Sequence, residues 1–303
     1  MYKVFNKIVY NNVKKRLGLN ESIKFFSGAA PLPLKTRQFF FNLGIFINNT
    51  FGMSETAGPM TSVRSYDYPQ YDLKSAGKAL PGTEVVILKT DPKGETGEIC
   101  LRGRNIFMGY LKNEQATKDC IDDMRRVHSG DEGKLNQDGM MQITGRIKEL
   151  LKTAGGEQIA PVIIEMNVKD ELPFLSNVMA VGDQMKYVSA ILTFKTTTLT
   201  GEMPNRILSP EAIEEIEKYG IKGLKTVEEA AKHPELLKVI QAGIDRANKK
   251  AISNAAKIKS WMIVLDDFSL PGGEFTPTMK LKRPVVVKKY AKEILDLYNR
   301  PEI

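Results

Sequence analysis

The chain has 303 residues, 42% of them hydrophobic and 26% charged, with a formal net charge of +8. That length accommodates two cores of ordinary size, and the composition is that of a globular rather than a disordered chain. It excludes a disulfide framework, because there are only two cysteines, and a bilayer-spanning segment, because no apolar run is long enough.

At the N-terminus, Val4, Ile8, Val9, Val13 and Leu17 recur at helical spacing, and the scattered lysines exclude a secretory signal. A strand is expected at Ile23–Phe26, a helix at Lys35–Leu43, then a strand in IFINNTFGMSE. This strand–helix–strand alternation points to parallel α/β architecture. From Gly82 the pattern changes to short hairpins: Val85–Leu88 with Glu98–Arg102, turning at Asp91-Pro92-Lys93-Gly94, and VHSGDEGKLNQDGMMQITGRI, turning at Gln137-Asp138-Gly139. Downstream, a helix is expected at Val162–Leu172 and a hairpin turning at Gly182-Asp183. Helices follow at Pro210–Tyr219, Val227–Lys232 and Pro234–Ser253, then a strand in SWMIVLDDF and a last helix at Val285–Tyr298. The expected fold class is therefore α/β, with a small β subdomain and then a small α+β domain; the expected division is 1–147 and 148–303.

Four stretches carry residue types suited to chemistry, each with a plainer structural alternative. In NNTFGMSETAG, Ser54 and Glu55 sit in a glycine-flanked loop expected to open onto a helix. A hydroxyl suits a phosphate oxygen and a carboxylate suits Mg²⁺, but Ser54 as an N-cap with Glu55 in the first turn explains the same letters. In HSGDEG, Asp131 is expected on a tight turn, as a ribose-binding carboxylate or as an Asx turn. In TGRIKELLKTAGGE, Arg146 suits a phosphate or hydroxyl, Lys148 falls at the domain boundary, and Gly155-Gly156 allows close backbone approach or simply caps a linker. In FTPTMKLKRP, Lys280, Lys282 and Arg283 are a solvated patch or hold one lysine for catalysis. From Phe275 onward seven basic residues face three acidic ones. That excess suits phosphates or an anionic membrane surface. Elsewhere the charge is dispersed without aromatic interleaving, which argues against nucleic acid.

In this order, FFSGAAPL, TFGMSETAG, GEICLRGRNIFMGYL, HSGDEGKLNQDG, TGRIKELLKTAGGEQIAPVIIE and TPTMKLKRP resemble successive motifs of the AMP-forming acyl-CoA synthetases, in the adenylate-forming superfamily. The wording is most similar to the long-chain "bubblegum" branch. The resemblance implies ligation of a long-chain fatty acid to CoA through an acyl-adenylate, with ATP, Mg²⁺ and CoA required. It implies that Gly28, Ala29 and Ala30 lie against adenine, that Asn49 approaches the base edge and that Phe51, where the family has tyrosine, stacks on it. Ser54, where the family has threonine, would meet the α-phosphate, and Glu55 would hold Mg²⁺. Asp131 would bind the ribose and Arg146 the ribose or phosphate. Lys148 would be the hinge, Gly155 and Gly156 would line the pantetheine channel, and Lys280 would be the catalytic lysine, with Lys282 and Arg283 supporting or solvated.

The family's upstream phosphate loop has no match here. The chain is expected to be a C-terminal portion that exposes an unpaired strand edge, binds AMP or acyl-adenylate weakly and turns over poorly alone. Two alternatives remain open: an adenylating enzyme with another acyl acceptor, and a non-catalytic module that binds a partner or a membrane. A cytoplasmic location, peripheral to a membrane, is expected.

Overall fold

The computed structural model describes residues 9–29, 32–64, 72–89 and 94–299, with the backbone alone at residue 148. Most of the expected N-terminal helix, Ala30 and the turn at residues 91–93 lie outside these. The chain divides into two compact units, residues 1–148 and 149–303.

In the first unit a short helix, α1 (Asn11–Arg16), buries no residue, and Val9 and Leu17 beside it stay exposed. Strand β1 (Phe25–Ser27), helix α2 (Leu34–Asn42) and strand β2 (Ile47–Met53) form the expected crossover, with β1 parallel to β2. Among the described residues β1 is paired on one side only, and its Phe26 is 64% exposed. That is the apolar, open edge expected from the sequence. The alternation then stops: β3 (Gly58–Ser62) and β4 (Lys78–Ala79) continue the sheet antiparallel.

A second sheet is an antiparallel meander of β5 (Thr83–Leu88), β6 (Gly97–Gly103), β7 (Val127–Leu135) and β8 (Met141–Arg146), with helix α3 (Glu114–Cys120) between β6 and β7. Phe51 and Met60 of the first sheet and Ile99, Leu101, Val127 and Met141 of the second share one buried cluster. Between them, Gly77 pairs with Met141 at φ +91°. A Cβ there would fall 1.8 Å from the carbonyl carbon of Ser62. Gly77→Ala is therefore expected to destabilise the protein by about 3 kcal/mol, seen as an earlier urea midpoint, because neither the backbone conformation nor the opposing chain can yield cheaply.

The second unit begins with a two-stranded ribbon, β9 (Leu151–Lys152) and β10 (Gln158–Ile159), followed by helix α4 (Pro161–Glu171). Its sheet orders β11 (Leu175–Val181), β12 (Val188–Phe194) and β13 (Ile258–Ile263), antiparallel then parallel. All seven residues of β12 are buried, as a strand covered on both faces requires. Val188, Ala190, Leu192 and Phe194 join one cluster while Ile191 joins another, following the period of two.

Helices α5 (Pro210–Glu217) and α6 (Val227–Lys232) precede α7 (Pro234–Asn248), which buries Leu236, Ile240, Ile244 and Ala247 on one stripe. Its N-cap is His233, whose Nδ1 accepts from the Leu236 amide at 3.3 Å. The helix ends five residues short of the expected Ser253. The Asn248 side chain donates to the Ile258 carbonyl and accepts from its amide, both at 2.9 Å, so residue 248 is bracketed to the start of β13. The last helix is two: α8 (Arg283–Lys289) and α9 (Ala291–Tyr298), broken at Tyr290. Val286 before the break and Ile294 and Leu297 after it reach the same cluster.

Candidate functional site

Strand β2 carries two of the expected nucleotide-binding residues of the first unit, Asn49 and Phe51. Its Asn49 lies in register with Ser27, the residue before Gly28, so the end of β1 and the middle of β2 are neighbours. Gly28 is required there: a Cβ would lie 2.7 Å from Thr50 Oγ1. Ala29 takes a left-handed conformation, φ +67°, uncommon for a residue with a side chain. Asn49 Nδ2 donates to the Ser75 carbonyl at 3.1 Å, and Ser75 Oγ donates to the Met141 carbonyl at 3.0 Å, tying β2 to the strand that ends in Arg146. Phe51 is 8% exposed and belongs to the buried cluster.

Ser54 and Glu55 do not open onto an α-helix. They form a single 3₁₀ turn, Ser54–Thr56, at the tip of the β2–β3 hairpin, where Met53 faces Gly58. The turn is fixed by Thr56, whose Oγ1 accepts from the Met53 amide at 3.0 Å and donates to the Gly58 carbonyl at 2.7 Å, and by Ala57 at φ +50°. Ser54 is exposed and lies inside the turn, whose N-cap position is Met53, so it is not a helix cap. The segment after β6 clamps the same turn. Asn105 Nδ2 donates to the Thr56 carbonyl at 2.6 Å, the Phe107 amide to the Glu55 carbonyl at 2.8 Å, and the Tyr110 hydroxyl to Glu55 Oε1 at 2.7 Å. Glu55's hydrogen bond, with burial second, holds the Tyr110 phenol well above its ordinary pKa, so it remains a donor. No local sequence signal marks Tyr110 as the partner of Glu55 or Asn105 as the partner of Thr56; they are 55 and 49 residues from those partners.

Asp131 is not on a tight turn. Gly130 at φ +69° and the cross-strand pairing keep it within continuous β7, directly opposite Arg146 of β8. Arg146 Nε donates to Asp131 Oδ1 at 2.9 Å; the carboxylate is 13% exposed and the guanidinium 46%. The two residues singled out separately in the sequence are thus one charge-assisted pair. One residue ahead of Asp131, the Gly130 amide donates to Glu98 Oε1 at 3.1 Å, and Glu98 Oε2 meets His128 Nδ1 at 2.8 Å.

Lys148 lies in a 3₁₀ turn, Ile147–Glu149, at the end of the first unit. In the second unit, Gly155 and Gly156 form the turn of the β9–β10 ribbon. Gly156 has φ +83°, and the nearest atom to a Cβ on Gly155 is Thr153 Oγ1 at 3.7 Å. Lys280 is exposed at the tip of a tight loop. The Thr276 amide donates to the Lys280 carbonyl at 2.9 Å, the Lys280 amide donates to Thr276 Oγ1 at 3.0 Å, and Met279 between them is left-handed at φ +59°. Among the described residues no carboxylate pairs with its ammonium. Arg283 contrasts with it and corrects the solvated reading: it is 12% exposed, and its guanidinium donates to both Glu165 oxygens at 2.6 and 2.7 Å and to Glu149 at 3.2 Å.

Comparison with known proteins gives two family matches: the AMP-binding enzyme model over residues 2–111 and the AMP-binding enzyme C-terminal domain over residues 221–302. Long-chain-fatty-acid–CoA ligase ACSBG2 of Gallus gallus is 46% identical over 299 residues, 97% of this chain and 38% of the relative. The Homo sapiens ACSBG2 is 42% identical over 302 residues, covering 98% and 44%. Long-chain-fatty-acid–CoA ligase ACSBG1 of Bos taurus is 42% identical over 297 residues, covering 97% and 40%. The chain thus spans about two fifths of the length of these relatives. Among solved structures, the adenylation domain of a Mycobacterium chelonae carboxylate reductase shares the fold with a TM-score of 0.71 at 19% identity, covering 99% of this chain and 42% of that one. The anthranilate–CoA ligase AuaEII, in complex with anthranoyl-AMP, gives 0.64 at 18% identity, covering 92% and 45%.

Proposed function

Because the chain belongs to the AMP-binding enzyme family, among its AMP-forming acyl-CoA synthetases and most similar to the long-chain bubblegum branch, we propose that it serves as a long-chain fatty acid–CoA ligase. ATP and the fatty acid would form an acyl-adenylate and pyrophosphate, and CoA would then take the acyl group and release AMP. The observation that carries this reading is likeness along nearly the whole chain to ligases named for that substrate and acceptor.

The residues suit the chemistry. Asp131, held by Arg146, offers a fixed carboxylate to a ribose diol. Gly28 and Ala29 bring backbone to the edge of β2, beside Asn49, while the Phe51 ring lies mostly within the buried cluster and would meet a base only at its exposed edge. Ser54 presents an exposed hydroxyl to a phosphate. Glu55 and Ser54 are hard oxygen donors of the kind Mg²⁺ accepts beside phosphates, and the Tyr110 hydrogen bond fixes one Glu55 oxygen. Bound Mg²⁺ would neutralise phosphate charge. Lys280, unpaired by any described carboxylate on a loop of fixed backbone, is suited to oxygens that gain charge as a carboxylate attacks phosphorus. Lys148 would be the pivot, and Gly155 and Gly156 would flank the pantetheine. We place the enzyme in the cytoplasm, with the exposed Lys282, Lys288 and Lys292 toward an anionic membrane surface.

The test replaces the matching stretch of the chicken relative with this chain and follows ATP–pyrophosphate exchange. Exchange is expected with palmitate and not with acetate; a folded chimera that exchanges with neither overturns the reading. Exchange without CoA-dependent product would favour another acyl acceptor. In the same chimera, Asp131→Asn is expected to raise KM for ATP about 10–100-fold, the worth of a hydrogen bond to a charged group.

A further inference from the structure

We propose that Glu98, Cys100 and His128 form a binding site for one zinc-class divalent cation, separate from any Mg²⁺ at Glu55. Glu98 and Cys100 are two residues apart on β6 and so share a face of the strand. Cys100 pairs directly with His128 of β7. Cys100 Sγ, His128 Nδ1 and a Glu98 oxygen all lie within 4.8 Å of one another.

The separations match a tetrahedral ion. With a thiolate at ~2.3 Å and an imidazole nitrogen at ~2.0 Å, tetrahedral zinc places the two atoms ~3.5 Å apart. Cys100 Sγ and His128 Nδ1 are 3.6 Å apart. Glu98 Oε2 is 2.8 Å from the same nitrogen and must move back by about 0.5 Å to become a ligand rather than a hydrogen-bond partner. Three protein ligands leave one position for water.

The far side of the imidazole is prepared as well. Asp122 Oδ2 lies 3.6 Å from His128 Nε2, and Asp122 is itself held by Arg126 Nε at 2.7 Å and Nη2 at 2.6 Å. At 3.6 Å Asp122 is beyond a hydrogen bond and would have to close by about 0.6 Å to become the carboxylate that usually holds the second nitrogen of a metal-bound histidine. A histidine–glutamate hydrogen bond alone would account for two of the three groups. It leaves unexplained why a fully buried thiol turns toward them, where an aliphatic side chain would fill the space without a polar atom.

The ligand set decides the class. A thiolate and an imidazole favour zinc and its neighbours over Mg²⁺ or Ca²⁺. Binding forms a metal–sulfur bond and breaks the S–H bond, with the proton passing to the buffer.

The experiment titrates the purified 303-residue chain with Co²⁺ and then Zn²⁺. One Co²⁺ per chain is expected, with a near-ultraviolet thiolate charge-transfer band and visible bands of tetrahedral type, both lost on adding Zn²⁺. Cys100→Ser should remove the charge-transfer band and weaken affinity at least ~100-fold. Asp122→Asn should weaken it about 10-fold while keeping the band, and Cys120→Ser should change neither. A wild-type chain with no thiolate band overturns the proposal whether or not the variants fold. A band that survives Cys100→Ser, or affinity unaltered in His128→Ala, overturns it too.

Discussion

Replacing Lys280 by alanine is expected to slow acyl-adenylate formation by about 10²–10³-fold, the usual cost of removing a fixed donor or charge at a centre where negative charge develops. The expectation rests on how the residue is held. The backbone on either side is pinned through Thr276, Met279 is left-handed, and no described carboxylate neutralises the ammonium. A lysine on a solvated basic surface would behave otherwise: its loss would cost little and the cost would fade with salt. Two readouts separate the cases. Palmitate-dependent pyrophosphate release should fall by the stated factor at low and high salt alike. Conversion of supplied palmitoyl-AMP to palmitoyl-CoA should be nearly unchanged, since that step does not load charge on the α-phosphate. A fall of less than threefold in the first would place Lys280 outside the chemistry.

The second large effect concerns the neighbouring basic residue. Arg283→Ala should destabilise the second unit by roughly 3–5 kcal/mol, the range for removing one partner of a buried ion pair. Glu165, 8% exposed in the intact pair, would lose both guanidinium bonds and keep the Ala180 amide, at 2.8 Å, as a hydrogen-bond donor. The loss exceeds what the pair contributes relative to an apolar replacement, because most of it is the cost of an uncompensated buried charge. Changing both residues, Arg283→Met with Glu165→Met, should therefore recover much of the stability. Thermal unfolding of the single and double variants measures this. A single variant within 1 kcal/mol of the parent would mean that solvent reaches the pair.

These outcomes bear on what the sequence discloses. The short stretch Thr276–Pro284 contains three basic residues that look alike in a row of letters. Folding separates them: Lys280 points from a loop tip, and Arg283 is buried against Glu165, 118 residues away. Local patterns were legible where the information is local. The meander strands follow from turn residues and alternation, β12 from the hairpin turn at Gly182-Asp183, and α7 begins at the expected Pro234. Local punctuation misled where the partner is distant. Gly130-Asp131-Glu132-Gly133 reads as a turn, yet Arg146 opposite keeps it in a strand. Ser54-Glu55 reads as a helix start, yet Gly58–Ser62 returns along β2. The last helix reads as continuous, yet the backbone leaves the helical region at Tyr290, where no Gly or Pro marks a break.

The candidate site divides the same way. Ser54, Glu55, Asp131, Arg146 and Lys280 stand out by residue type, each with a plainer alternative, and resemblance adds their roles, which periodicity lacks. What resemblance did not supply is the support: the Asp131–Arg146 pair, the Tyr110 hydroxyl on Glu55, and the Glu98, Cys100 and His128 group. Each depends on strand register or a long loop, and register is not written in either partner alone.

The most direct measurement of the central claim is mass-spectrometric detection of palmitoyl-CoA. The chimera carrying this chain would be incubated with palmitate, ATP, Mg²⁺ and CoA, beside its Lys280→Ala form. Palmitoyl-CoA that depends on ATP and falls at least ~100-fold in Lys280→Ala is the predicted result. A folded chimera that makes no palmitoyl-CoA, or makes as much without Lys280, would contradict it.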